Sequence, residues 1–228
     1  MINIQNKREM SNTIFIILSS VFIASLITCN LIANKFVEID LGFRVFIVSA
    51  GILPYPITFL VTDILSEIYG RDKTNKVVFS GFVASLFTLL FLWLGAQFNS
   101  IDGTIVNDET YNLVFQNAWR VIAASMIAYL SAQFLDVKLF HFWKKLTKGK
   151  HLWLRNNAST IASQLVDTTL VVGVLFIGVW PTSQITSAII DGWLFKMLCA
   201  FIDTPIFYML TGLFRKTFNL EMGEELSA

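Results

Sequence analysis

An all-α membrane protein with six transmembrane helices and both termini in the cytoplasm is the fold the sequence predicts. Three observations carry that expectation. Of the 228 residues, 55% are apolar and only 14% charged. The apolar residues gather into six long runs, and lysine and arginine cluster in every second gap between them. A soluble domain carries roughly a quarter charged residues, and a disordered chain needs low hydrophobicity with high net charge. Both classes are excluded. The net charge of +1 leaves no electrostatic footprint for a nucleic-acid partner. Cys29 and Cys199 lie inside apolar runs and read as packing residues rather than a disulfide or zinc site. No cofactor is expected.

A helix crossing ~30 Å of hydrocarbon needs about 20 mainly apolar residues. The runs that qualify cover about 13–34, 44–69, 76–98, 113–135, 157–180 and 185–214, leaving one polytopic domain with short loops. Lys7 and Arg8 ahead of the first run also fit a signal peptide. That run exceeds a usual signal core, and Thr28 before Cys29 is a poor lipoprotein cleavage residue, so it is read as a span. The second run is interrupted by Pro54-Tyr55-Pro56. Each proline removes an N–H and clashes with the carbonyl four residues back, which predicts a broken helix with the carbonyls of Ala50 and Ile52 freed. Broken helices at membrane depth are tolerated where they line a cavity. Pro205 is expected to do the same to Phe201 in the sixth run.

Orientation follows the positive charges. Lys7 and Arg8, the 71–76 loop, the 138–155 loop and the Arg215-Lys216 end hold 13 of the 17 bases. The alternate loops hold only Lys35 and Arg44, and the one after residue 99 is acidic. His141 and His151 fall in the basic 138–155 loop as interfacial residues. Asn157-Ala158-Ser159 matches a glycosylation acceptor but lies on the cytoplasmic side, and is read as chance.

Of the ionisable residues inside the spans, six stand out: Asp63, Glu67, Arg120, Asp167, Lys196 and Asp203. Unpaired at the membrane centre they would cost on the order of 15–20 kcal/mol together, more than a typical folding free energy. They must face one another or a wet cavity. Spacing favours the cavity: Asp63 and Glu67, like Asn30 and Asn34, are four apart on one helical face. Gln133 with Asp136, and Gln164 with Asp167, repeat a three-residue spacing, and Lys196 and Asp203 are two turns apart. With Lys35 at the outer end, these positions trace a route across the membrane. The charges of these six sum to −2, which suits a donor-rich ligand or protons as coupling ions. Phe43, Phe46, Tyr55, Trp119, Trp193 and Tyr208 offer aromatic faces.

The stretch Asn30-Leu31-Ile32-Ala33-Asn34-Lys35, followed by the block from Pro56 through Thr62-Asp63-Ile64-Leu65-Ser66-Glu67-Ile68-Tyr69-Gly70, resembles the queuosine precursor transporter family, also labelled a vitamin uptake transporter family. The likeness continues through Ser159-Thr160 and Ser163-Gln164 to Asp167-Thr168 and Asp203-Thr204-Pro205. The resemblance implies a multi-pass importer in the bacterial inner membrane, carrying 7-deazaguanine bases (preQ0, preQ1 or queuine) for tRNA modification. A guanine-like base presents an N1–H and a 2-amino group that one carboxylate can accept side by side. Asp167 or Glu67 is the expected partner for that edge. Gln133, Gln164, Asn34 and Lys196 are candidates for the remaining polar atoms, and Tyr55, Trp119 and Phe43 for stacking. Arg120 is expected to neutralise an acid. Asn30, Lys35, Asp63 and Asp203 complete the expected substrate-binding set.

Two rival readings differ in kind. A substrate-binding subunit of an energy-coupling-factor importer also has six spans, but needs ATPase partners. An intramembrane aspartyl protease would use Asp63 and Asp167, yet the chain lacks the Gly-x-Gly-Asp signature expected there. Besides the lipid bilayer, a second copy of the chain is a partner left open. Ser20 and Ala24, four apart on the first helix, could dock such a neighbour.

Overall fold

The computed structural model describes residues 4–33, 35–42, 45–116, 119–178, 180–221 and 223–226. Helix α1 (Ile4–Leu31) begins before the expected span, because its polar first turns carry no helix breaker. It leads into a feature absent from the all-α expectation, an antiparallel hairpin of β1 (Phe36–Asp40) and β2 (Val45–Ser49). Val37 and Ile39 pair with Val48 and Phe46 on one face, while Glu38 and Asp40 point the other way. Period-two alternation of this kind specifies a strand with one buried face. That face packs on Phe195, whose ring meets Phe46 edge-on at 5.3 Å. The turn uses Gly42 at φ +80°, with its N–H bonded to Asp40 Oδ1 at 2.8 Å.

The expected second span is therefore corrected: its first residues are strand β2, then a 3-10 turn over Ala50–Ile52, and only from Tyr55 an α-helix. The Ala50 carbonyl is not freed, since the Leu53 N–H bonds to it at 3.1 Å. Pro54 and Pro56 open α2 (Tyr55–Ile68) rather than kink it, at first-turn positions where the missing N–H breaks no helical bond. Ser49 joins the turn to α1, accepting from Gly51 N and donating to the Ala33 carbonyl at 2.6 Å. Gly51 itself is required: a Cβ there would lie 2.5 Å from the Cys29 carbonyl oxygen.

Short as it is, α2 is the axis of the molecule. All its residues from Thr58 to Ile68 except Leu60 are buried, by α1, α3, α5 and α7. Helix α3 (Arg71–Gly95) crosses α1 closely at Gly81, where a Cβ would sit 2.8 Å from the Phe22 ring. Its far face exposes Phe79, Phe87, Phe91 and Trp93. After the one-turn α4 (Asp108–Tyr111) and a π-helical turn over Asn112–Gln116, α5 runs from Trp119 to Leu146 and α6 from Leu152 to Phe176. The expected 136–156 loop thus shrinks to a turn, closed by Lys148, Gly149 and His151 at positive φ. Helix α7 (Thr182–Phe218) is 37 residues long, with Pro205 inside it. That is about 55 Å of helix.

Four stretches among the described residues are long and apolar enough to cross a membrane: Asn6–Leu31, Ala50–Ile68, Arg71–Gly95 and Thr182–Phe218. Helices α5 and α6 pack against each other and carry much of the buried polar material.

Candidate substrate cleft

Between α2, α6 and α7 lies a cleft with about 390 Å³ of atom-free space, its open mouth included. It is a narrow, half-open site. Of the expected residues, Tyr55, Asp63, Gln164, Lys196 and Asp203 line it. Asn156 and Thr160 join them from α6, and Phe59 adds an aromatic wall.

The positioning follows from local structure. Beginning α2 at Tyr55 sets its ring at the mouth of the helix, 5.2 Å from the Phe59 ring and 5.4 Å from that of Tyr129. The Tyr55 hydroxyl donates to Asp167 Oδ2 at 2.6 Å, and the Lys196 ammonium meets the same oxygen at 2.6 Å. Lys196 also lies 4.3 Å from the Tyr55 ring centroid, a cation–π contact. Asp167 is thereby fixed through one oxygen, while Oδ1 has no partner. Gln164, one turn before it on α6, is 1% exposed. Its amide lies beside the Tyr55 hydroxyl, yet neither amide atom has a partner of hydrogen-bond geometry. Asp63 is 2% exposed, and its Oδ1 is likewise unpartnered. Behind Asp63, Asp136 on α5 is fully buried and accepts from the Ser163 hydroxyl at 2.9 Å. The Asp63 and Asp136 carboxyls lie within hydrogen-bonding reach of each other. Gln133 sits in the same layer, donating to Thr62 Oγ1 at 2.7 Å.

Glu67 departs from expectation. It is fully buried outside the cleft, gripped by three cations. Arg155 makes a two-pronged contact at 2.8 and 3.1 Å, Arg215 binds Oε1, and Lys144 lies 3.8 Å away. With its oxygens occupied this way, Glu67 is a clamp on the ends of α5, α6 and α7 rather than a free acceptor. Arg155, Lys144 and Arg215 correct the reading of those bases as loop or surface charges: Arg155 is fully buried, its guanidinium 5.5 Å from the Phe140 ring centroid. The signal was present in sequence, since Arg155 precedes Ser159 and Ser163 at four-residue steps on the polar stripe of α6. Lys144 also holds Glu225 at 2.9 Å, and the Leu226 N–H bonds the Ile68 carbonyl at 2.8 Å, so Glu225 and Leu226 cover this end. Half-buried His141 belongs to the same cluster; desolvation and then Lys144 push its imidazole down to about 4.

Other expected residues are not brought to the cleft. Asn30 bonds its own helix at the Leu26 carbonyl, and Lys35 is exposed beside the hairpin. Asn34 and Phe43 lie outside the described residues, as do the side chains of Trp119 and Arg120 at the start of α5. Asn157, the acceptor-motif residue, is buried and bonded to Thr204 on α7 at 2.9 Å.

Apolar helices wrapped around a cleft that presents unpartnered hydrogen-bonding groups between apolar walls are the architecture of a small-solute transporter. Residues 49–210 match the family described as putative vitamin uptake transporter. The probable queuosine precursor transporter of Bacillus subtilis (strain 168) is 31% identical over 161 residues, 70% of this chain and 70% of that protein. The queuosine precursor transporter of Escherichia coli (strain K12) is 25% identical over 154 residues, 65% of this chain and 62% of its own length. A probable queuosine precursor transporter of Haemophilus influenzae (strain ATCC 51907 / DSM 11121 / KW20 / Rd) is 26% identical over 129 residues, 55% of this chain and 51% of that protein. No solved structure matches. The chain belongs to the vitamin uptake transporter family, a family of transporters and not of enzymes.

Proposed function

We propose that this chain imports queuosine precursors, 7-deazaguanine bases, across the bacterial inner membrane, as a six-span protein with both termini cytoplasmic. The names of its relatives support the substrate class. Helices α5 and α6, at 28 and 25 residues, are long enough for the two further spans. The Glu67 cluster, with Arg155, Arg215 and Lys144, lies at the end where the bases concentrate, which is the cytoplasmic end by the positive-inside rule.

One observation carries the reading: Asp63 Oδ1 and the Gln164 amide are buried, unpartnered and face one cleft. Each such group costs about 1–3 kcal/mol until a ligand satisfies it. Asp63 accepts the N1–H and 2-amino group of the base, and Gln164 with Lys196 takes its carbonyl edge. Tyr55 and Phe59 offer ring faces for stacking. Asp167 holds Tyr55 and Lys196 in place and keeps Oδ1 for a further donor. Sites built on such bonds reject analogues that leave them unmatched. The base enters as the walls around the 3-10 turn and Pro205 part.

The test is uptake by the chain alone. Cells unable to make queuosine precursors, expressing this chain in a membrane without energy-coupling-factor ATPases, accumulate radiolabelled 7-cyano-7-deazaguanine. No uptake at full membrane expression defeats the importer reading. Uptake restored only by an added ATPase complex returns the subunit reading.

A further inference from the structure

The base-rich end of the molecule holds a second concavity, which shares no lining residue with the substrate cleft. The first residue of α3, the last turns of α5, the α5–α6 turn, Gly223 and Glu225 surround about 1100 Å³ of atom-free space, its open mouth included. Among the described residues Arg71, Lys138, Lys144, Lys145 and Lys148 line this basin, against a single acid, Glu225.

Close backbone contacts fix its walls. The turn after α5 takes φ of +49° at Lys148 and +77° at Gly149, and the Gly149 N–H returns to the Lys144 carbonyl at 2.9 Å. Gly223 lies directly on that turn, since a Cβ on it would stand 2.8 Å from the Gly149 Cα. Glu225 rests against Gly70, beside Arg71, and leaves no room for a Cβ there. Lys138, Phe142 and Lys145, at steps of four and three on α5, share one helical face.

A cytoplasmic end rich in bases is expected of any membrane protein, so their number decides nothing. Partnership does. Lys144 is committed to Glu67 and Glu225. Arg71, Lys138, Lys145 and Lys148 make no ion pair among the described residues, and Asp72 and Glu224 do not line the basin. Like charges gathered around one concavity repel one another until an anion sits between them. A second observation points the same way: His141 also lines the basin, and its Nε2 is buried without a partner. A neutral imidazole can carry its one hydrogen there and donate it. The rim is apolar, with Phe142 56% exposed and Leu146, one turn later, 61% exposed. Basic pockets at the cytoplasmic ends of membrane helices take the headgroups of anionic lipids.

We propose that this basin binds a net-negative phosphate, with the headgroup of an anionic phospholipid in the cytoplasmic leaflet as the source its apolar rim favours. Arg71, Lys138, Lys145 and Lys148 supply the charge and His141 a hydrogen bond. Phe142 and Leu146 offer a surface to an acyl chain. The choice of leaflet rests on the orientation proposed above; the site itself does not depend on which solute is carried.

Native mass spectrometry of the purified full chain in detergent tests it, with phosphatidylglycerol or phosphatidylcholine of the same acyl chains added. Wild type retains phosphatidylglycerol in preference. Lys138→Gln, Lys145→Gln and Lys148→Gln combined weaken that binding on the order of a hundred-fold, each base contributing roughly five-fold. All three are exposed, and Lys144 stays in the Glu67 clamp, so the melting temperature remains that of wild type. Arg71→Gln alone weakens binding about five-fold. As a matched control, Lys76→Gln, Lys150→Gln and Lys216→Gln combined remove exposed bases of the same end that do not line the basin, and the preference is kept. Displacement of the lipid by millimolar inorganic phosphate keeps the anion site and gives it a soluble source. No preference over phosphatidylcholine, or equal loss in the two triple variants, overturns the site. Since no deazaguanine is present, a failure of the importer reading leaves this result untouched.

Discussion

Replacing Glu67 with Gln separates a structural clamp from a substrate ligand. The wild-type carboxylate faces Arg155 at 2.8 and 3.1 Å, Arg215 on Oε1, and Lys144 at 3.8 Å. Arg155 is fully buried, so losing the anion strands a guanidinium with no water to solvate it. Breaking a buried pair in this way costs about 3–5 kcal/mol. For a chain of this length each kcal/mol lowers the melting temperature by about 2–4 °C, so the loss is on the order of 6–20 °C. Asp63→Asn, one turn earlier on α2, removes a buried charge that has no base, and it melts within a few degrees of wild type. Circular-dichroism melting of the purified variants in detergent measures both. Adding Arg155→Met to Glu67→Gln recovers part of the loss, because the stranded charge is gone. A Glu67→Gln protein that melts with wild type but no longer takes up substrate refutes the clamp and restores Glu67 as a ligand.

Two further outcomes follow from the site and its surroundings. Gln164→Ala removes a hydrogen-bonding group with no protein partner, so affinity for the base falls about ten-fold or more while the melting temperature stays put; equilibrium dialysis and melting measure the two. His141, pushed down to about 4 by burial and Lys144, binds its proton more readily when unfolded. Its contribution to stability is complete above about pH 6.5 and is lost as pH falls from there towards 4. The difference in melting temperature between wild type and His141→Gln therefore narrows across that window, read by the same melts at stepped pH.

Much of the architecture was legible because hydrocarbon imposes a length on apolar runs. Helices α1 and α3 follow directly from theirs, whereas Pro54 and Pro56, which suggested a broken helix, mark the start of α2 instead. The hairpin is not legible in the sequence, although Phe36-Val37-Glu38-Ile39-Asp40 alternates, because Val45-Phe46-Ile47-Val48 satisfies a buried strand and a buried helix equally well. Helix ends slipped for another reason: a helix need not stop where hydrocarbon does, so α5 continues through Lys138 and His141 to Leu146. In the site, helical spacing identified Asp63, Gln164 and Lys196, since residues on one stripe face one interior. Partnership was not legible. Arg155 and Arg215 meet Glu67 across 88 and 148 residues of sequence, and counting bases as loop charges hides those that turn inward.

The central claim is that a buried acid without a base exists to meet a solute. Equilibrium binding of radiolabelled 7-cyano-7-deazaguanine to purified wild type and Asp63→Asn in detergent tests it directly. Saturable binding by wild type, lost in a variant that still melts like wild type, is the predicted result. Equal binding by both proteins would contradict it.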